Sequence, residues 1–167
     1  MDRVVCATGA LAIPPAKPEK RLRDMEMDQF QALFQINASG PLTLLGQLEP
    51  LLKRSASPRI AALSAQLGSI TDNRMGGWYA YRMSKSALNM GIRTLAIECA
   101  RWPKPPVIAA IHPGTTLTTF SAAHLSGRER HLKSPTQTAQ QIVSLLERMD
   151  NSHNGGFFNT SGGVIEW

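Results

Sequence analysis

Cysteine is nearly absent from these 167 residues: Cys6 and Cys99 are the two, each set in an apolar run. That excludes a disulfide-stapled scaffold, and both read as small core residues of a protein kept in a reducing compartment. Tyrosine is as scarce, with Tyr79 and Tyr81 on the same short stretch. No apolar run approaches the ~18 residues of a membrane span, so no membrane association is expected. His112, His124, His131 and His153 show no ligand spacing with Cys, Asp or Glu, which gives no metal site. The run from Val4 to Ile13 follows a lone Arg3, is preceded by Asp2 and is broken by Gly9, which argues against a secretion signal. The expected location is cytoplasmic.

What is present is ordinary for a globular chain. Hydrophobic content is 43% and charged content 18%, and the length suits one domain with a real core. The net charge of +6 comes from 18 scattered Lys and Arg. The densest run, Glu19-Lys20-Arg21-Leu22-Arg23-Asp24, is flanked by acids, and no basic stripe with interleaved aromatics appears, so nucleic acid is not an expected partner.

Four short apolar runs read as strands: Arg3 to Ala7, Arg59 to Leu63, Pro106 to Ile111, and Phe157 to Asn159. Three helical patterns separate them. Asp24 is placed to cap the first, which runs on through Met25, Phe30, Leu33 and Leu45 to Leu52. Gly40-Pro41 lies inside that pattern and predicts a kink near Asn37, because proline removes a helical hydrogen bond. The second helix runs from about Tyr79 to Ala100, with Met83, Ala87, Met90, Thr94, Leu95 and Cys99 as expected inner positions. Ser134-Pro135-Thr136-Gln137 is a capping box opening the third, whose apolar stripe is Ala139, Ile142, Val143, Leu145 and Leu146. This alternation predicts an α/β fold, a parallel sheet with helices on both faces. Functional loops then belong beyond the carboxyl ends of the strands. Thr8-Gly9, Ser64 to Ser69 and Pro113 to Thr118 all fall there.

Tyr81 and Lys85 stand four apart at the start of the second helix, which puts both side chains on one helical face. A phenol near an ammonium has its ionised form favoured, so its pKa is expected to fall towards the working range of a general acid/base. Alone, such a pair is not diagnostic.

Its surroundings carry a resemblance. Tyr81-Arg82-Met83-Ser84-Lys85-Ser86-Ala87-Leu88-Asn89 resembles the active-site signature of the short-chain dehydrogenases/reductases. Phe34-Gln35-Ile36-Asn37-Ala38-Ser39-Gly40 matches the segment with the family's active-site asparagine, Ser64 to Ile70 the serine-bearing loop, and His112-Pro113-Gly114 to Thr118 the Pro-Gly motif beside the nicotinamide. Trp78 to Arg82 and the ending Phe157-Phe158 to Trp167 are most similar to the carbonyl-reductase-like, C-factor-like branch. The resemblance implies a Rossmann-like domain and NAD- or NADP-dependent hydride transfer between the nicotinamide and a carbonyl or secondary alcohol, a small-molecule substrate. In it Tyr81 is the acid/base, Lys85 lowers its pKa and binds the cofactor ribose, and Asn37 holds a relay water. Thr8, Gly9, Pro113, Gly114 and Thr118 would line the cofactor. Tyr79 has Met83, not a lysine, four residues on, and is expected to pack or face substrate. The resemblance also implies homo-oligomers formed through the two long helices, about 25 to 52 and 79 to 100.

Two departures stand out. The family's second loop serine lies three residues before the glycine, and counting back from Gly68 that place holds Ala65. Ser64 takes the first serine place and is the preferred hydroxyl. Ser69 is the alternative, and a third is that neither reaches the substrate oxygen. The other departure is on the cofactor side: no glycine-rich turn joins a first strand to a helix N-terminus, where backbone amides would meet a pyrophosphate. Residues 1–167 therefore correspond to the C-terminal part of one such domain, a truncated sheet of about four strands of the usual seven. A fragment is one expectation. The alternative is a short product acting as an inactive binding or oligomerisation module. The loop 119 to 133 is placed to cover substrate, although its His124, Arg128, Arg130 and His131 read more simply as a solvated face.

Overall fold

The computed structural model describes residues 1–118, 121 and 132–167. Four strands, β1 (Arg3–Cys6), β2 (Arg59–Leu63), β3 (Val107–His112) and β4 (Phe157–Asn159), form one sheet in that order. Every pairing is parallel, with Ile60 opposite Val4 and Ile108, and Ala110 opposite Phe157. Parallel neighbours require crossovers, and helices supply them. These are α1 (Met27–Phe34), α2 (Gly40–Lys53), α3 (Tyr79–Cys99) and α4 (Pro135–Arg148).

Alternation along the strands sorts the core into two layers. Ile60, Ala62, Ile108, Ala110 and Phe157 pack with Leu45 and Leu52 of α2 and Leu88, Ile92, Ala96 and Cys99 of α3. Ala61, Ala109, Ile111 and Phe158 pack on the other face with Ile142, Leu145 and Leu146 of α4. Leu45, Leu88 and Ile92 are each buried, and burying such a side chain contributes roughly 1.5–3 kcal/mol. Helices thus cover both faces, as the sequence pattern implies. Cys6 and Cys99 are free thiols in the core.

The kink near Asn37 takes a defined form. Residues Gln35–Ser39 make a turn of π-helix between α1 and α2, in which the Gly40 amide donates to the Gln35 carbonyl. Pro41 has no amide to offer and crowds the preceding turn, so the ladder widens by one residue. The wide turn carries Asn37 fully buried. At α4, Ser134 and Gln137 exchange both bonds of the capping box, at 3.2 and 2.9 Å.

Three expectations from the sequence need correction. Asp24 does not cap the first helix: it closes a 3-10 turn, Leu22–Asp24, beside Arg21 and Arg23, and α1 begins at Met27. Within α3, Met83, Met90 and Thr94 face outward, whereas the buried side carries Tyr81, Ser84, Lys85, Leu88 and Asn89. Ala87, Leu95 and Cys99 pack inward as expected, and the other three positions miss because polar side chains take part of the inner surface. In α4, Ala139 and Val143 are likewise exposed, and Thr138 is buried instead.

Candidate active site

The carboxyl ends of β1 and β2 and the first turns of α3 meet around Lys85 and Asn37. Its amide clamps the turn after β1: Asn37 Oδ1 accepts from the Ala10 amide and Asn37 Nδ2 donates to the Ala10 carbonyl, both at 2.8 Å. The same Nδ2 lies 2.9 Å from Ser84 Oγ, which donates to the Tyr81 carbonyl at 2.8 Å. One buried asparagine therefore ties β1, the π turn and α3 together. Ser84 is a structural member of the cluster that sequence reasoning passed over, although it lies within the Tyr81 to Lys85 motif and one turn from Tyr81.

Lys85 is 3% exposed, and its Nζ donates to the Leu63 carbonyl at the end of β2, at 2.9 Å. A side chain on Gly9 would meet Lys85 Nζ at 3.3 Å and Asn37 Oδ1 at 3.5 Å. Gly9, Asn37 and Lys85 therefore converge on one small space, and the missing Cβ of Gly9 keeps it open. Thr8 and Gly9 are themselves exposed at the end of β1.

The electrostatics differ from the sequence expectation. Burial pushes the Tyr81 phenol up to about 12 and the Lys85 ammonium down to about 8. Leu11 and Ala65 cluster with Tyr81, with Leu67 and Trp78 packed alongside, and Trp78 meets the phenol ring edge-on at 6.4 Å between centroids. Water removed by these apolar neighbours costs each charged form its hydration, and here that outweighs the attraction expected from the lysine.

Both serines of the loop after β2 have protein partners. Ser64 Oγ donates to Asn89 Oδ1 at 2.6 Å, and Ser69 Oγ accepts from the Asp72 amide at 3.0 Å. Ala65 is the loop residue that packs against Tyr81. Gly68 brings the loop against α3: an added Cβ would lie 2.9 Å from the Lys85 Cβ and 3.0 Å from its backbone. Ser86 Oγ then donates to the Gly68 carbonyl at 2.8 Å.

After β3, Gly114 sits at φ 77, a left-handed conformation that favours glycine. Lys133 lies beside it, 3.3 Å from the position of an added Cβ. The Thr118 hydroxyl is 3.5 Å from Ser121 Oγ, and the Thr118 amide donates to that oxygen at 3.1 Å. His112, which precedes Pro113, is lowered to about 4 by burial and the Lys133 charge, and its buried Nδ1 finds no hydrogen-bond partner among the described residues. His124, Arg128, Arg130, His131 and most of the proposed substrate loop lie outside the described residues. Among the described residues no cluster of three His, Cys, Asp or Glu could hold a metal, and no helix is long and apolar enough to cross a membrane.

A parallel α/β sheet with its polar cluster at the strand carboxyl ends defines a Rossmann-like domain. Residues 1–147 match the family model described as enoyl-(acyl carrier protein) reductase. C-signal of Myxococcus xanthus is 32% identical over 146 residues, 87% of this chain and 83% of that protein. The structure of the carbonyl reductase Sniffer of D. melanogaster is 30% identical with a TM-score of 0.83, over 99% of this chain and 66% of that one. An NADPH-bound carbonyl reductase from chicken fatty liver shares the fold, with a TM-score of 0.86 at 22% identity, over 100% of this chain and 66% of that one. The chain belongs to the short-chain dehydrogenase/reductase family, and spans about two thirds of the length of these two solved relatives.

Proposed function

We propose that these residues form the proton-transfer side of an NAD- or NADP-dependent oxidoreductase acting on a carbonyl or secondary alcohol. The observation that carries this reading is the convergence of Lys85 and Asn37 on the open space at Gly9, one helical turn from Tyr81. Beside exposed Gly9 an ammonium and an amide oxygen stand together, the donor and acceptor that a sugar hydroxyl can engage. Lys85 and Gly9 would hold the ribose. Thr8, Pro113, Gly114 and Thr118 would border the remainder. When bound, a nicotinamide supplies or accepts the hydride at the substrate carbon.

Tyr81 supplies the proton to the carbonyl oxygen in reduction and takes it back in oxidation. Lys85 is held at the site by the Leu63 carbonyl, and burial keeps the phenol protonated, ready to act as the acid. Asn37 fixes the turn after β1 and, through Ser84, the first turn of α3. With Ser64 engaged by Asn89 and Ala65 at the phenol, the substrate oxygen is oriented by Tyr81 and not by a loop serine.

A second reading is favoured by a specific observation. Leu44 and Leu51 on α2, and Met83, Met90 and Ile97 on α3, are exposed at seven-residue spacing, which marks an apolar seam between helices. Such a seam suits homo-oligomerisation, and a chain that uses it without turnover would be a binding or oligomerisation module.

The test is carbonyl-dependent oxidation of NADH or NADPH by the gene product as its own cell makes it. Turnover is expected. No turnover with any carbonyl substrate, in a folded protein that self-associates through α2 and α3, would favour the second reading instead.

A further inference from the structure

The first turn of α3, which presents Tyr81, is capped from a distant part of the chain. Trp78 is its N-cap residue, at φ 54 and ψ 46, and offers no side-chain cap. Gly76 and Gly77 before it are also left-handed, at φ 64 and 68. Three such residues in succession bend the chain sharply and leave the helical amides facing residue 19. The Glu19 carbonyl accepts from the Trp78 amide at 2.6 Å, and the Glu19 carboxylate accepts from the Ala80 amide at 2.5 Å. A carboxylate there satisfies an orphan donor and suits the positive end of the helix dipole. Arg82 grips the same bend with bonds to the Gly77 carbonyl at 2.9 Å and the Gly76 carbonyl at 3.3 Å.

From this latch the segment runs back across the site. Its other end is held by Asn37 at Ala10, and its middle by Gln29, whose Oε1 accepts from the Ile13 amide at 3.0 Å. Between these anchors Leu11, 7% exposed, packs on Tyr81 and Ala65.

We propose that residues 10–21 are a cover latched by Glu19, which is a positioning residue for Tyr81. This rests on Tyr81 being the proton-transfer residue.

Accessibility of the phenol tests the cover without any turnover. The chain has two tyrosines, so nitration by tetranitromethane can be followed residue by residue in the mass spectrum. In the unsubstituted protein Tyr79 is expected to react ahead of Tyr81. Glu19→Ala is expected to speed nitration of Tyr81 about 5- to 10-fold relative to Tyr79, the scale of one lost cap. Glu19→Gln keeps an acceptor oxygen and is expected to restore protection. Ser134→Ala, which removes the cap of α4, controls for general destabilisation and leaves Tyr81 protected. Equal protection in Glu19→Ala and the unsubstituted protein, or equal exposure in Ser134→Ala, would overturn the proposal. Should Glu19→Ala not fold, Leu11→Ala gives the same reading with the latch intact: faster nitration of Tyr81 supports the cover, and an unchanged rate overturns it. Absence of oxidoreductase turnover would leave these rates untouched, so failure of the functional reading stays distinguishable.

Discussion

Ser64 donates its hydroxyl hydrogen to Asn89 Oδ1 at 2.6 Å, between two buried side chains. The bond fastens the loop after β2 to α3. Ser64→Ala leaves that oxygen buried without its donor, so unfolding free energy should fall by about 1–3 kcal/mol. Activity per folded molecule is expected to change little. Ala65→Ser, beside the phenol, is expected to raise activity on carbonyl substrates. Denaturant titration and steady-state rates on both variants check this.

Gly9 leaves room for Lys85. A methyl group there would stand 3.3 Å from Nζ, tighter than the ammonium tolerates without moving. Gly9→Ala is expected to lower cofactor-dependent turnover by roughly 10- to 100-fold through displacement of one group. Thermal stability should be nearly unchanged, because the residue is exposed.

Lys85 gives the fold a characteristic pH dependence. Burial holds it at about 8 instead of 10.5. Below pH 8 both folded and unfolded chains carry the charge, and the folded state bears the whole cost of burying it. Between 8 and 10.5 the folded chain has released a proton that the unfolded chain keeps, so stability rises with pH. Tyr81, raised from 10 to about 12, makes stability fall across that higher interval, because the folded chain keeps a proton that the unfolded chain has lost. Lys85→Met is expected to be more stable at pH 7 by on the order of 2–3 kcal/mol. It should also lose the rise between pH 8 and 10.5, which unfolding curves across that range would show.

The exposed stripe of Leu44, Leu51, Met83, Met90 and Ile97 is proposed to meet its own copy. Met90→Glu is expected to yield a monomer with an unchanged melting temperature at high dilution. Sedimentation velocity decides, and a monomeric unsubstituted protein at tens of micromolar would contradict the proposal.

Much of this was legible in the residues. Short apolar runs marked the strands, and Pro41 marked the wide turn that carries Asn37, because both signals are local. The phase of α3 was legible only in part. Its inner face mixes Tyr81, Ser84, Lys85 and Asn89 with Leu88, Ile92 and Cys99, while Met83 and Met90 face out, so hydrophobic periodicity found the later turns and missed the first ones. Glu19 was hidden for another reason: its partner Ala80 lies 61 positions away, and no local spacing announces such a cap. The state of Tyr81 also depends on tertiary packing, since burial raises the phenol and Leu11, Ala65 and Trp78 pack around it.

The central claim is that Tyr81, and not its neighbour Tyr79, moves the proton. The most direct measurement is kcat/KM for carbonyl reduction in Tyr81→Phe and Tyr79→Phe, each beside the unsubstituted protein. Tyr81→Phe is expected to lose about 100-fold or more, the scale of one general acid. Tyr79→Phe is expected to stay within about 3-fold, as for a packing residue. Retained activity in Tyr81→Phe, or the larger loss in Tyr79→Phe, would contradict the assignment.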